Sequence, residues 1–600
     1  MNHFNHNSII IDLPTGVGQI VDITEWGAKA ENGFCNTLAI ERAIAYCKDK
    51  PEVTLLIPKG VYHFYQTDLT YFIGLHHLSD FTIEGSGSEF IFHQAKDFLD
   101  IKFSKRLMIK NLILDWDWNA GALASVGVIK EVGNKGSYLD IQFPGYDVID
   151  SNMDIRIVGP FDPKRYTPGA EGGIEFRPYE NQHTKATSDA ESNKEMTALV
   201  RELDNILSKR IERVNDNTLR MFPQDSSWAV NHFHEGDCYN FRHFEYDCEA
   251  IRTTKSSHIT FERVTIYGCP GGGFLNVGSV HHLHFSHCKI QPRPGTFRSI
   301  SVSVDCLHVG NSKGYIIIED CDFSGAGDDC VNLHDNSSMG ITKINDDTIL
   351  LERVNEDKLQ FEIGGSIEIR MPDLSPSGYS SRITKVQYFP EKNNCQLQLA
   401  LPLPSNLVED CIVFNRSYGT DYYIIRNCRF TNNRARGLLL QGSHGIVENN
   451  TFENIQGAAI QIETGSESRW SEGQGVTDLL IQHNIIRHCD LNAWQMAVIY
   501  MGVYLPKGRT TYPIFKDIEI AHNTIVDFPR LACFLSSCEN VWVHDNALIN
   551  GGQRDYSCAD YGSSTMELPI YNEKYEGVIQ FSHSKNCLAE NNNIFNTMLN

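Results

Sequence analysis

A short apolar phrase recurs along the 600-residue chain. It consists of an apolar residue, two others, then Asn, Cys or an apolar residue, one more, and a further apolar residue. It reads Ile109/Leu112/Leu114, Phe261/Val264/Ile266, Phe285/Cys288/Ile290, Ile318/Cys321/Phe323 and Ile425/Cys428/Phe430. It continues as Val447/Asn450/Phe452, Ile481/Asn484/Ile486, Ile520/Asn523/Ile525, Val543/Asn546/Leu548 and Ala589/Asn592/Ile594. The shortest steps between copies are 22, 23 and 24 residues, and others run to 33, 34, 39 and 46. A unit of that length, built of short strands and polar turns, is about one coil of a parallel β-helix, and the longer steps absorb loops. Stacked coils bring equivalent residues to about 4.8 Å. An Asn at a fixed turn can therefore hydrogen-bond the coils on either side, and Cys in the same phase is its apolar counterpart.

Two stretches interrupt the phrase. From about Gly121 to Gln224 the chain holds strands such as Tyr138-Leu-Asp-Ile-Gln-Phe and a pattern that predicts a helix with Leu199, Leu203, Ile206 and Leu207 on one face. Between Ile318 and Ile425, alternating runs at Thr348–Val354, Ser366–Arg370 and Cys395–Leu401 predict a small antiparallel barrel. Near the start, Asn36 or Thr37 can cap a helix carrying Ile40, Ile44 and Cys47 on one face, a plug for the open end of a solenoid. The expected fold is all-β: a parallel β-helix with an N-terminal capping helix and two inserted barrel-like domains. Its parts are residues 1–120 (cap and first coils), 121–227 (first insertion), 228–338 (coils), 339–417 (second insertion) and 418–600 (last coils). The segment Trp26-Gly-Ala, Ala39-Ile-Glu-Arg-Ala-Ile and Ile57-Pro-Lys-Gly-Val-Tyr resembles the entry of pectate-lyase-like right-handed β-helix proteins. That superfamily includes hydrolases, lyases and tailspikes, so the fold leaves function open.

The charge balance narrows the partners. Lys and Arg total 52 against 75 Asp and Glu, a formal net charge of −23, which argues against a nucleic-acid groove. No apolar run approaches the roughly 20 residues of a membrane span. The start carries no signal-peptide pattern, so the chain is read as cytoplasmic or as trimmed of a leader. The 17 cysteines form no Cys-x-x-Cys pair and read mostly as small buried apolar residues.

Candidate chemistry is densest across two neighbouring coils. Asp305 precedes Asp328 by 23 residues and Asp329 by 24, so the three carboxylates should meet on one side of the solenoid, beside His308 and His334. Gly325-Ala-Gly327 permits a tight turn that aims both members of the Asp pair into a cleft. Carboxylates crowded together cannot all ionise independently, and glycoside hydrolysis needs one protonated and one ionised acid. Turn-capping aspartates and a calcium site are the competing readings. On the following coils Arg434 and Arg436 can bond sugar hydroxyls, Trp470 can stack on a sugar face, and Glu472 can bind vicinal hydroxyls. Each also reads as ordinary packing or solvated charge.

The run Gly271-Gly-Gly-Phe-Leu275, Ser301-x-Ser-x-Asp305-x-x-His308, Ile318-Glu-Asp-Cys-Asp-Phe and Gly327-Asp-Asp329-x-x-Asn332-x-His334 resembles glycoside hydrolase family 110. Motif strength is concentrated in residues 270–335. The resemblance implies a bacterial exo-α-1,3-galactosidase that inverts configuration with three aspartates, matched by Asp305, Asp328 and Asp329. By analogy with β-helix polygalacturonases, Asp328 is the general acid, and Asp305 and Asp329 hold and deprotonate water. An acid–base gap of roughly 6.5–9.5 Å is then expected. His308, Asn332 and His334 join Arg434, Arg436, Trp470 and Glu472 as candidate substrate contacts. No metal or cofactor is expected, the partner is a terminal α-galactoside, and exposed coil faces offer surfaces for a homodimer. A polygalacturonase would show Asn-Thr-Asp where Ser303-Val-Asp305 stands, and an Arg-Ile-Lys that is missing. A lyase would need a basic proton abstractor beside the Asp cluster. A non-catalytic carbohydrate-binding β-helix is the alternative outside enzymes.

Overall fold

The computed structural model of the chain describes residues 3–5, 8–15, 18–48, 50–169, 174–179, 205–352, 354, 360–466, 471–491, 497–506, 508–552 and 577–596. These form a parallel β-helix whose strands fall into a 22-stranded sheet and a 12-stranded sheet, with two seven-stranded sheets inserted. The recurring phrase runs through the larger sheet in register. Ile109 pairs with Phe261, Phe261 with Phe285, Phe285 with Ile318 and Ile318 with Ile425. The series continues through Val447, Ile481, Ile520 and Val543 to Ala589. Both insertions therefore leave the stacking unbroken: the coils on either side of each still pair directly.

The phrase bends where its Asn or Cys stands. The residue before that position lies in the left-handed region in every copy, from Asn111, Arg263, His287, Asp320 and Asn427 to Asn449, His483, His522, Asp545 and Asn591. Asn, Asp and His dominate because short polar side chains tolerate this conformation best. Inside the bend Asn450, Asn484, Asn523 and Asn546 are buried and linked. The Nδ2 of Asn450 donates to Asn484 Oδ1, Asn484 to Asn523, and Asn523 to Asn546, each at 3.0 Å. Asn450 Nδ2 also donates to the Ile425 carbonyl one coil back. The cysteines are more than apolar fillers, because their thiols copy this second bond. Cys288 Sγ donates to the Phe261 carbonyl, Cys321 to Phe285 and Cys428 to Ile318, at 3.4, 3.5 and 3.7 Å. All described cysteines are free thiols, buried except for Cys35 and Cys587.

The cap is the helix Thr37–Cys47, which buries Ile40, Ile44 and Cys47 against the first coil. Asn36 occupies its N-cap position without making the capping bond. Its amide instead brackets the backbone of Lys29, accepting from the N–H and donating to the carbonyl.

The first inserted sheet takes in strands from Ala124–Gly133 to Cys238–Arg242. It thus continues past residue 227, because Cys238–Arg242 pairs with both Ala124–Gly133 and Ile157–Asp162. The helix expected around 199–207 is not what the described part shows. Leu207 opens the strand Leu207–Asn215 and Ile206 enters the insertion's core, while Leu199 and Leu203 lie outside the described residues. A helix stands instead at Ser226–His232, where Asp225 accepts from the N–H groups of Ser227 and Trp228. In the second insertion the end strands Ser337–Met339 and Ile341–Lys343 are joined through Gly340 alone, so the sheet curls until its edges meet. Among the described residues no helix is long and apolar enough to cross a membrane.

Candidate active site

The strand Leu307–Gly310 stacks on Val331–His334 in the 12-stranded sheet, with His308 beside Asn332. Their apolar residues Leu307, Val309, Val331 and Leu333 fill the solenoid. The alternation therefore sends His308, Asn332 and His334 to the outer face. The turns entering these strands carry Asp305 and the Asp328–Asp329 pair. Gly327 is required there, since a Cβ would lie 2.1 Å from the Ser303 carbonyl.

The three aspartates do meet. Each offers an oxygen within 4.8 Å of the other two. Their surroundings differ. Asp305 accepts from the Asp329 N–H at 2.9 Å and from His308 Nδ1 at 2.8 Å. Asp329 accepts from the backbone N–H of Arg436 at 2.9 Å and from its Nη2 at 3.0 Å. Asp328 accepts from Arg434 Nη1 at 3.0 Å.

These contacts grade the acidities. Burial works to raise Asp305, but the His308 bond and charge, the Asp329 N–H and Arg436 outweigh it and hold the carboxyl below its ordinary range. Burial raises Asp328, opposed by Arg434 and reinforced by Asp305. Burial also raises Asp329, with Arg436 opposing and both other aspartates reinforcing. Asp305 is thus the most acidic of the three, and the crowding of Asp328 and Asp329 opposes their ionising together. Burial works to lower His308, but Asp305, Glu472 and Glu249 outweigh it and raise its pKa. His308 Nε2 faces His334 Nε2 at 2.8 Å, and His334 Nδ1 lies 3.8 Å from Glu472. The four form a chain with an acid at each end and two imidazoles between them.

Arg434 and Arg436 stand beside the carboxylates, engaged with Asp328 and Asp329. Trp470 lies outside the described residues, while Glu472 is placed by the two-residue strand Ser471–Glu472. Sequence reasoning missed several groups that arrive from elsewhere. Glu175, in the first insertion, forms a two-pronged ion pair with Arg434. Arg242, buried, donates to the carbonyls of Ser303 and Gly327 and braces the turn that carries Asp328 and Asp329. Tyr246 is 70% exposed, and its phenol lies close enough to Asp328 and Asp305 to feel their charges. Glu249 accepts from the Gly272 N–H at 3.0 Å and is pushed up to about 7, chiefly by burial. Only Gly271-Gly-Gly-Phe, marking close backbone approach, hinted at that last contact.

A family model described as a right handed beta helix region matches residues 404–511. Alpha-1,3-galactosidase A of Shewanella woodyi is 25% identical over 588 residues, covering 94% of this chain and 92% of that one. Alpha-1,3-galactosidase B of Bacteroides thetaiotaomicron is 26% identical, covering 88% and 86%. Among solved structures, an exopolygalacturonase from Thermotoga maritima aligns at 11% identity and a TM-score of 0.41, covering 90% of this chain and 89% of that one. The chain is a right-handed parallel β-helix protein, homologous over most of its length to proteins named alpha-1,3-galactosidase.

Proposed function

We propose that this chain is an exo-acting glycoside hydrolase that removes terminal α-1,3-linked galactose, working by single displacement on the three aspartates. The carrying observation is the meeting of the three carboxylates in unlike surroundings: Asp305 bonded to His308 and depressed, beside a pair that burial and mutual repulsion raise. Asp328 gives its proton to the glycosidic oxygen as the bond to the anomeric carbon breaks. Asp305, the depressed carboxyl, accepts the proton of a water that it holds together with Asp329 on the other side, as the water oxygen joins that carbon. Galactose and the shortened acceptor leave, with the proton count unchanged. A neutral sugar suits the site because its cations are already matched: Arg434 faces Glu175 and Asp328, and Arg436 faces Asp329. A uronate would have to compete with those carboxylates.

The test is hydrolysis of an α-1,3-linked digalactoside with the first-formed anomer followed by NMR. β-Galactose is expected. α-Galactose would replace single displacement with the retaining route, and no galactose at all would overturn the assignment.

A further inference from the structure

We propose that His258, His281 and His282, braced by Asp12 of the amino-terminal segment, form a binding site for a divalent cation of the zinc class, separate from the catalytic centre. His258 and His282 occupy the same left-handed turn position on successive coils, where Ser257 pairs with His281. Coil stacking alone therefore brings the rings together, with centroids of His258 and His282 4.4 Å apart and those of His281 and His282 4.9 Å apart. Each ring offers a nitrogen within 4.8 Å of the other two. His281 Nδ1 and His282 Nδ1 are 2.7 Å apart, a contact that needs a proton on one of them. A metal between the rings replaces that proton and takes a lone pair from each, at about 2.0–2.1 Å for zinc.

A neighbour that orients the cluster comes from far away in sequence. The Asp12 N–H donates to His258 Nδ1 at 2.9 Å, and its carboxylate lies 3.6 Å from the same nitrogen. The cluster follows the strand Gly272–Val277, whereas the catalytic aspartates precede the strands beside it, so the two sites lie at opposite ends of those strands.

Electrostatics selects the class of ion. Lys105 and Lys313 lie near the imidazoles, and the Asp12 carboxylate opposes their effect at His258 and His282. Arg106 is paired with Asp80. A hard cation such as Ca²⁺ needs several oxygens and net negative charge, which the cluster lacks. Imidazoles suit Zn²⁺ and its neighbours in the transition series. A bound ion would also fasten the amino-terminal segment across the coils. That segment already contacts Asp478 and Glu519 through His3, Tyr422 through Phe4, and Asp80 through Thr15.

The experiment uses the full chain stripped with a chelator and then dialysed against Zn²⁺ or Ca²⁺. One zinc per chain is expected by elemental analysis, with a rise in Tm that Ca²⁺ does not reproduce. The double variant His281→Ala/His282→Ala should lose both effects while hydrolysing α-galactoside at the wild-type rate. Asp12→Asn should weaken zinc binding at least about tenfold. If the double variant does not fold, His282→Asn carries the same comparison. Absence of bound zinc in the wild type, or zinc binding unchanged in the histidine variants, would overturn the proposal. Unchanged affinity in Asp12→Asn would overturn the part given to the amino-terminal segment.

Discussion

Glu175 and Asp328 share one guanidinium. Arg434 holds Asp328 through Nη1 while its Nε and Nη2 grip Glu175, a residue 259 positions away in the first insertion. Glu175 is only 8% exposed, so its charge is balanced almost wholly by arginines. It takes up part of the field that would otherwise fall on Asp328. Replacing Glu175 with Gln should therefore lower the Asp328 pKa. The alkaline limb of the rate profile, which follows the proton on the general acid, should move down by about one unit, and activity above it should fall about tenfold. A KM increase with an unmoved limb would instead make Glu175 a sugar contact. Removing half of a buried pair should also cost about 3–5 kcal/mol of stability.

The roles within the triad can be separated by leaving group. Asp328→Asn should lower turnover of a digalactoside at least about a hundredfold. It should recover much of that loss on an aryl galactoside whose leaving group needs no proton. Asp305→Asn should stay impaired on both substrates, because activation of water is needed in either case. Equal losses for the two variants on the aryl substrate would remove the distinction between acid and base.

What the sequence could disclose tracks how far each contact reaches along it. The coil phrase repeats at short spacing and each copy stacks on the next, so Ile425 over Val447 and Asp305 beside Asp329 could be read from counting alone. Glu175 and Arg242 could not be found this way, because insertions leave the repeat and return to it at points that no period marks. Arg434 and Arg436 were legible as site residues but not as partners of the aspartates, since which turn faces which depends on the bend at Asn433. There the Asn433 amide donates to the carbonyls of Asp328 and Arg436 and accepts from the Ala326 N–H. The thiol bonds of Cys288, Cys321 and Cys428 were hidden because cysteine reads as apolar by composition.

The Asp305–His308 pair should leave a signature in stability against pH. The His308 pKa is raised in the folded chain, so its contribution is complete below the unfolded value of about 6.5 and lost as pH rises through the folded value. Asp305 is depressed, so its contribution is present above about 3.8 and lost as pH falls through the folded value. His308→Gln should therefore destabilise most near about pH 6 and progressively less toward about pH 9. Urea midpoints of both proteins across that range check the trend. A penalty that does not change with pH would mean that His308 contributes packing and not charge.

The asparagine ladder predicts a gradient along the solenoid. Asn523 Oδ1 accepts from both the N–H and the amide of Asn484, and its own amide donates to Ile481 O and Asn546 Oδ1. Alanine there strands several buried groups, each costing about 1–3 kcal/mol when unpaired, so a loss of about 3 kcal/mol or more is expected. Asn592 makes three of these four contacts, to Asn546 and Val543, and is only half-buried, in the last described coil. Water can replace it, and Asn592→Ala should cost less than about 1 kcal/mol. Asn523→Cys should recover part of the loss, since thiols at this position on earlier coils already donate to the carbonyl of the preceding coil. Equal penalties at both ends would show that the ladder acts through the bend's conformation and not through its hydrogen bonds.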